Sequence, residues 1–310
     1  MRQKVTVVGG GNVGATTILY LAEKNIADLV MVDVVDGLPQ GKSADISQAA
    51  ALRGYSVTLT GSNDYEPIHG SDVVVVTAGL PRKPGMSRSD LLGLNAKIVG
   101  SVARQIKTYA PGAIVIVVSN PLDVMCAVAL KETGFDSRHV FGMAGVLDTA
   151  RFRYFIAEAL DVLPSDVSAI VLGGHGDAMV PLPRYTTVSG VPVTELIAPA
   201  TLDAMVERAR KGGGEIVSLL KTGSAFYAPA ASAVQMVEAI LQDNKRVLPC
   251  SVLLNGQYGI HDVFIGVPVK LGQGGIEQIF ELKLTDKELA ALQQSAEDVK
   301  ADMDALAKLV

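Results

Sequence analysis

His175 stands in Leu172-Gly-Gly-His-Gly-Asp-Ala-Met179, a glycine-flanked turn after an apolar run that leaves its ring free on both sides. An imidazole titrates near neutrality, so it can exchange a proton with a substrate hydroxyl. A carboxylate on its other nitrogen would fix the tautomer and steady the imidazolium. Gly142-Met-Ala-Gly-Val-Leu-Asp-Thr-Ala-Arg151 offers such a carboxylate in Asp148, with Arg151 three residues on. In a helix that spacing projects both side chains from one face. A guanidinium placed there can hold a carboxylate in a two-pronged grip. Taken singly, each residue has a plainer reading: Asp148 as a helix-start residue, Arg151 as a surface cation, His175 as a turn histidine.

A second constellation opens the chain. In Lys4-Val-Thr-Val-Val-Gly-Gly-Gly-Asn-Val-Gly-Ala-Thr-Thr17 a β-branched run feeds Gly9-x-Gly11-x-x-Gly14, and a helical apolar pattern (Val13, Ile18, Leu21, Ala22) follows without a spacer. The order reads strand, tight turn, helix. Gly9 permits the bend, Gly11 lets backbone approach a pyrophosphate, and Gly14 lets helix and strand pack closely. The stretch Gly9, Gly10, Gly11, Asn12, Val13, Gly14 therefore reads as a dinucleotide cradle, with the helix N–H groups and dipole facing the phosphates. Leu29-Val-Met-Val-Asp33 then reads as a buried strand ending in an acid nineteen residues beyond Gly14. A carboxylate there can accept hydrogen bonds from both ribose hydroxyls, and Val34, Val35 and Asp36 supply no cation for a 2′-phosphate. The cofactor expected is NAD rather than NADP; the plainer reading of Asp33 is a strand-end turn residue.

These residues need elements to hold them. Helix-compatible residues 37–54 carry a small apolar face of Ala44, Ile46, Ala49, Ala50 and Leu52, whose default partner is its own sheet and whose alternative is a second subunit. A short strand is expected at 57–60, turn chemistry at Gly61-Ser-Asn-Asp64, and buried strands at 72–77 and 113–118. Between those two strands lies Leu80-Pro-Arg-Lys-Pro-Gly-Met-Ser-Arg-Ser-Asp90, a loop bearing Arg82, Lys83 and Arg88 that suits a lid over an anion, or else a solvated surface loop. Helices are expected at 91–109 and 122–133 and a last strand at 139–142. Ser119-Asn-Pro-Leu-Asp123 puts polar groups at a strand's carboxyl end, where ligands sit in open parallel sheets.

The alternation gives an α/β chain whose first half is a Rossmann-type doubly wound parallel sheet. It ends around Gly142 to Gly145, so the expected halves are 1–144, which binds the dinucleotide, and 145–310, an α+β substrate-binding and catalytic half. In the second half, helical patterns cover 148–160, 201–221 and 229–241, with a kink or break expected at Gly212-Gly-Gly214. Strand-like runs cover 167–172, 247–254, 263–271 and 276–282. Thr285-Asp-Lys-Glu288 has capping-box spacing ahead of a closing amphipathic helix.

With 310 residues, 49% apolar and 19% charged, the chain suits two well-filled domains. A formal charge of −5 disfavours nucleic acid. No apolar run approaches ~20 residues, so no membrane span is expected, and the first strand begins without room for a signal sequence. Cys126 and Cys250 have no metal or redox spacing; no metal is expected, and the location read is cytoplasmic.

The chain resembles, from end to end, the lactate/malate dehydrogenase family, nearest to its lactate-dehydrogenase-like malate branch. The resemblance rests on Gly9 to Gly14, Ala78-Gly-Leu-Pro-Arg-Lys-Pro-Gly-Met86, Val118-Ser-Asn-Pro121, Gly145-Val-Leu-Asp-Thr-Ala-Arg151 and Gly173-Gly-His-Gly-Asp177. It implies interconversion of (S)-malate and oxaloacetate with NAD, His175 as the proton acceptor paired with Asp148, and Arg151 on the substrate's 1-carboxylate. It further implies Arg88 as the lid arginine that polarises the carbonyl, Asn95 on the cofactor with Val118, Ser119 and Asn120, and Asn120 also near the substrate. Ser224 and Ala225 would lie beside the substrate's side chain. Arg82 would hold the second carboxylate, a position that looks neutral in the family's lactate enzymes. A homodimer or homotetramer is implied, with helices 37–54 and 151–160 at the first interface. The nearest rival is another 2-hydroxy acid dehydrogenase such as an L-lactate enzyme. Rivals of other classes are an NAD-dependent glycosidase, which would need metal-ligating Cys and His, and a catalytically silent NAD-binding protein. His69, His139 and His261 lack partner motifs and read as structural.

Overall fold

A computed structural model of the chain describes residues 2–81 and 88–309. The first half alternates β1 (Lys4–Val8), α1 (Asn12–Lys24), β2 (Asp28–Val32), α2 (Leu38–Arg53), β3 (Leu59–Ser62), β4 (Val73–Val76), α3 (Arg88–Tyr109), β5 (Ile114–Val117), α4 (Leu122–Thr133) and β6 (Val140–Gly142). The strands lie side by side in the order β3-β2-β1-β4-β5-β6, all parallel. Val73 to Val76 and Ile114 to Val117 are buried throughout, as continuous β-branched runs must be when helices cover both faces of a sheet. This order reverses direction between β1 and β4, and in such sheets the crevice for ligands opens there, at the carboxyl ends of the strands.

The second half contains α5 (Gly145–Leu160), β7 (Val167–Ser168), β8 (Val171–Gly173), β9 (Met179–Pro181), β10 (Thr187–Val188), β11 (Val191–Pro192), α6 (Val193–Leu196), α7 (Pro199–Leu220), α8 (Tyr227–Leu241), β12 (Arg246–Asn255), β13 (His261–Gly272), β14 (Gly275–Ile279) and α9 (Asp286–Ala307). β12 joins the parallel strands antiparallel at β6 through the pair Ser251↔Gly142, and β13, β8 and β9 continue from it. Among the described residues one sheet thus runs through both halves. Its core includes Phe141, Phe264 and Ile116, fully buried; each such side chain stabilises by about 1.5–3 kcal/mol. A second core, built on Phe152, Ile156, Val171, Met179 and Leu202, lies where α5, α7 and the small strands meet. Helix α5 enters both cores, which fixes its rotation. No helix among the described residues is long and apolar enough to cross a membrane.

Four local expectations are corrected. The apolar face of α2 divides: Ile46, Ala49 and Ala50 pack on the core, whereas Ala44 and Leu52 are exposed, Leu52 by 89%. Gly61 and Ser62 extend β3 instead of turning, because the missing side chain admits the Pro39 carbonyl of α2; a Cβ would stand 2.2 Å from that oxygen. The run 167–172 is two strands in different sheets: β7 pairs with β10, while β8 joins the large sheet and Val171 N–H is taken up by the Thr149 hydroxyl at 3.1 Å. Helix α7 continues through Gly212 to Gly214 without the expected break.

At α9 the capping box forms: Glu288 N–H donates to Thr285 Oγ1, and Thr285 N–H to Glu288 Oε2 at 2.8 Å. Thr285→Ala should cost about 1 kcal/mol and lower the thermal midpoint by roughly 2 °C, measured by scanning calorimetry. Glu288 stays anchored by Arg184 at 2.8 Å, so unfolding should remain a single transition.

Candidate active site

The glycine turn after β1 is as tight as its sequence requires. A Cβ on Gly14 would lie 1.8 Å from the Gly9 carbonyl oxygen, and Gly9 has φ +109°. At Gly11 a Cβ would meet nothing within 4 Å, so the backbone is open to an approaching group. No side chain caps the start of α1, which leaves its first N–H groups for an anion. Asp33 follows β2 and is aimed back at this turn: Oδ2 accepts Gly10 N–H at 2.6 Å and Oδ1 accepts Val35 N–H at 2.9 Å. Open backbone, helix start and carboxylate fit a dinucleotide's pyrophosphate and ribose. Lys42 of α2, which the sequence reading did not place here, donates to the Gly10 carbonyl at 2.7 Å and braces the loop.

The ends of β4 and β5 are laced together beside it. Ser119 Oγ donates to the Ala78 carbonyl at 2.6 Å. Asn95, 1% exposed, accepts Leu80 N–H at 2.8 Å and donates through Nδ2 to the Leu80 and Asn120 carbonyls at 3.1 and 2.7 Å. Both of its amide hydrogens are therefore engaged by backbone. Val118 and Ser119 are buried, whereas the Asn120 side chain is exposed, next to the cis peptide to Pro121. Arg82, Lys83 and the side chain of Arg88 lie outside the described residues, so the lid reading has no structural account here.

Asp148 sits in the first turn of α5 and is 2% exposed. Its Oδ2 lies 2.9 Å from His175 Nδ1. An ionised carboxylate only accepts hydrogen bonds, so Nδ1 carries the hydrogen and Nε2 is left to face a substrate. Its Oδ1 accepts Arg151 Nη1 at 3.4 Å, while Arg151 Nε is buried with no hydrogen-bond partner among the described residues. A Cβ on Gly212 would crowd Arg151 Cδ at 3.2 Å, whereas one on Gly213 would make ordinary contact with its Nη atoms at 3.7 Å and one on Gly214 would meet nothing within 4 Å. Gly212 thus makes room for the arginine, and the buried stripe of Leu202, Met205 and Ala209 packs the same helix into the small core.

The His175 turn is held at both N–H groups. Gly174 N–H donates to Ser295 Oγ of α9 at 2.8 Å, and His175 N–H to Asp123 Oδ2 of α4 at 3.0 Å. Gly173 and Gly176 take φ +90° and +101°, values that favour glycine. Burial pulls the imidazole down from its ordinary 6.5, but the charge and hydrogen bond of Asp148 outweigh it against the opposing Arg151, so the net displacement is upward. Asn120, Leu122, Gly174, His175 and Asp298 line one cavity of about 800 Å³. His175, Asp148 and Arg151 thus meet, as do Asp33 with the glycine turn and Asn95 with Asn120.

Lys42, Ser295 and Asp123 had no assigned role in the sequence, and Gly212 and Gly213 read there only as a helix kink or break. Only Asp123 carried a usable signal, as an acid in the polar run that ends β5. His69, His139 and His261 are absent from these contacts, and His69 and His261 are exposed.

Models of the two halves of one family match the chain: the lactate/malate dehydrogenase NAD-binding domain over residues 3–142 and the lactate/malate dehydrogenase alpha/beta C-terminal domain over 145–310. Malate dehydrogenase of Thermomicrobium roseum is 58% identical over 309 residues, covering 100% of both chains. Two solved structures from Cryptosporidium parvum are nearly equidistant. One is a malate dehydrogenase, 47% identical with a TM-score of 0.97, covering 99% of this chain and 100% of that one. The other is a lactate dehydrogenase complexed with lactic acid and nicotinamide adenine dinucleotide, 43% identical with a TM-score of 0.96, covering 99% and 98%. Matched over nearly its whole length, the chain belongs to the lactate/malate dehydrogenase family.

Proposed function

We propose that the protein interconverts (S)-malate and oxaloacetate, with NAD as hydride acceptor and NADH as donor. The observation that carries this reading is the 2.9 Å contact of His175 Nδ1 with buried Asp148, which also accepts a hydrogen bond from the Arg151 guanidinium. In oxidation His175 Nε2 takes the hydroxyl proton of malate; in reduction it returns a proton to the carbonyl oxygen of oxaloacetate. Asp148 orients the ring and steadies the imidazolium without exchanging a proton. Arg151 grips the carboxylate next to the reacting carbon, and Arg88 polarises the carbonyl. Gly9 to Gly14, Asp33, Asn95, Val118, Ser119 and Asn120 hold the cofactor, so residues 1–144 bind the dinucleotide and 145–310 carry the proton chemistry.

The choice of malate turns on Arg82. A second carboxylate in a closed site needs a paired cation, whereas pyruvate's methyl group would leave that cation unpaired. Full-length likeness to malate dehydrogenases supports the assignment. L-Lactate is the second reading, favoured by the near-equal likeness to a lactate enzyme; a panel of oxo acids followed by NADH absorbance separates the two. We place the protein in the cytoplasm as a homodimer or homotetramer. Exposed Leu52 on α2, with exposed Tyr154 within α5 and Leu163 just beyond it, supports an interface there.

His175→Asn should keep NADH binding, followed by fluorescence, and lose turnover by on the order of 10²–10⁴-fold. Arg82→Gln should lower kcat/KM for oxaloacetate by on the order of 10²-fold or more and improve pyruvate relative to it; equal turnover of both acids by the unaltered protein would remove the assignment. Reduction requires the imidazolium and oxidation the neutral ring. Because the imidazole is displaced upward, kcat/KM for oxaloacetate should hold through neutral pH and fall under alkaline conditions, with malate oxidation rising as its mirror. Asp148→Asn should move both profiles to lower pH.

A further inference from the structure

Asp123 has no part in the reaction as written above, although it touches the histidine's own backbone. It is the second residue of α4 and 6% exposed. Oδ2 accepts His175 N–H at 3.0 Å and Oδ1 accepts the Ser251 hydroxyl of β12 at 2.6 Å. One side chain therefore joins the start of α4, three residues after Asn120, to the strand that couples the two halves of the sheet and to the turn bearing His175.

Both hydrogen-bond donors are neutral, yet a carboxylate taken from water needs compensating charge as well as hydrogen bonds. Burial pushes its carboxyl up, and the Ser251 hydroxyl, the His175 N–H and the charge of His175 offset only part of that rise, to which Asp148 adds. The imidazole in turn faces Asp148 and Arg151 from α5 and Asp123 from α4, while Asp177, Asp298 and Asp302 line the same cavity. Cys126, a further titratable neighbour of Asp123, is buried, and that burial keeps its thiol neutral.

Resting on the malate reading, we propose that Asp123 is a positioning residue of the reaction. Through its hydrogen bonds to His175 N–H and the Ser251 hydroxyl it fixes the backbone of the His175 turn relative to Asn120, and in its ionised form it favours the charged imidazolium that delivers a proton to oxaloacetate. Asp123 exchanges no proton with the substrate and acts only through His175.

Asp123→Asn preserves the shape: its carbonyl oxygen can still accept His175 N–H and its amide can donate to Ser251 Oγ. A purely structural tie would therefore leave the histidine's titration unmoved. The chain has four histidines, so the His175 ring signal can be followed by NMR in the protein alone, assigned by its loss in His175→Asn. With thermal midpoint and NADH affinity unchanged, Asp123→Asn should move that titration and the alkaline limb of oxaloacetate reduction to lower pH by about half a pH unit or more. An unmoved titration in folded Asp123→Asn overturns the proposal. If that variant does not fold, Ser251→Ala keeps the carboxylate but withdraws a hydrogen bond from its charged form. A smaller shift in the same direction then supports the proposal, and none overturns it. The ring titration needs no substrate, so its failure is separate from failure of the malate reading, which would appear as unaltered protein that turns over no oxaloacetate.

Discussion

The hydrogen bond from His175 Nδ1 to Asp148 is the constraint around which the second half is built. A ring nitrogen is useful in proton transfer only if the other nitrogen is committed, and it is committed here by an acceptor-only group that is almost sealed from water. Sealing strengthens the contact, because little solvent competes for the charge. It also demands that the carboxylate be held where nothing else can reach it. Helix α5 does this by entering two cores at once: Val146 and Leu147 pack into the large one and Phe152 and Ile156 into the small one. Rotation of the helix would expose one set or the other.

Arg151 is the counterweight. It shares Asp148 with the imidazole, so one carboxylate sits between a permanent cation and a switchable one. Arg151 disfavours the imidazolium and Asp148 favours it. A bound carboxylate on the guanidinium would cancel part of Arg151's opposition, so that substrate binding itself raises the histidine's hold on its proton. Charge complementarity between substrate and site is in this way coupled to the protonation state the reduction needs.

Much of this was legible in the residues, and the reasons differ by element. The parallel strands could be read because Asp72-Val-Val-Val-Val-Thr77 and its like have no other stable environment than the middle of a covered sheet. The glycine turn and the capping box are local patterns with local causes. What escaped was long-range. Gly212 to Gly214 read as a helix break on propensity alone, but the helix continues and Gly212 is placed by its close approach to Arg151, some sixty positions earlier. The bonds of Asp123 to Ser251 and of Gly174 to Ser295 span 128 and 121 residues, distances over which side-chain periodicity carries no information. The split of 167–172 between two sheets likewise depends on partners elsewhere in the chain.

The continuous sheet has a mechanical meaning. Backbone pairing passes from the nucleotide-facing strands into the histidine-bearing ones at Gly142 and Ser251, and Asp123 bolts the Ser251 side chain to the far side of that seam. Displacing one half against the other would therefore have to break the Gly142–Ser251 pairing and the Asp123–Ser251 hydrogen bond together, so the seam ties the proton-handling turn to the strands that face the nucleotide.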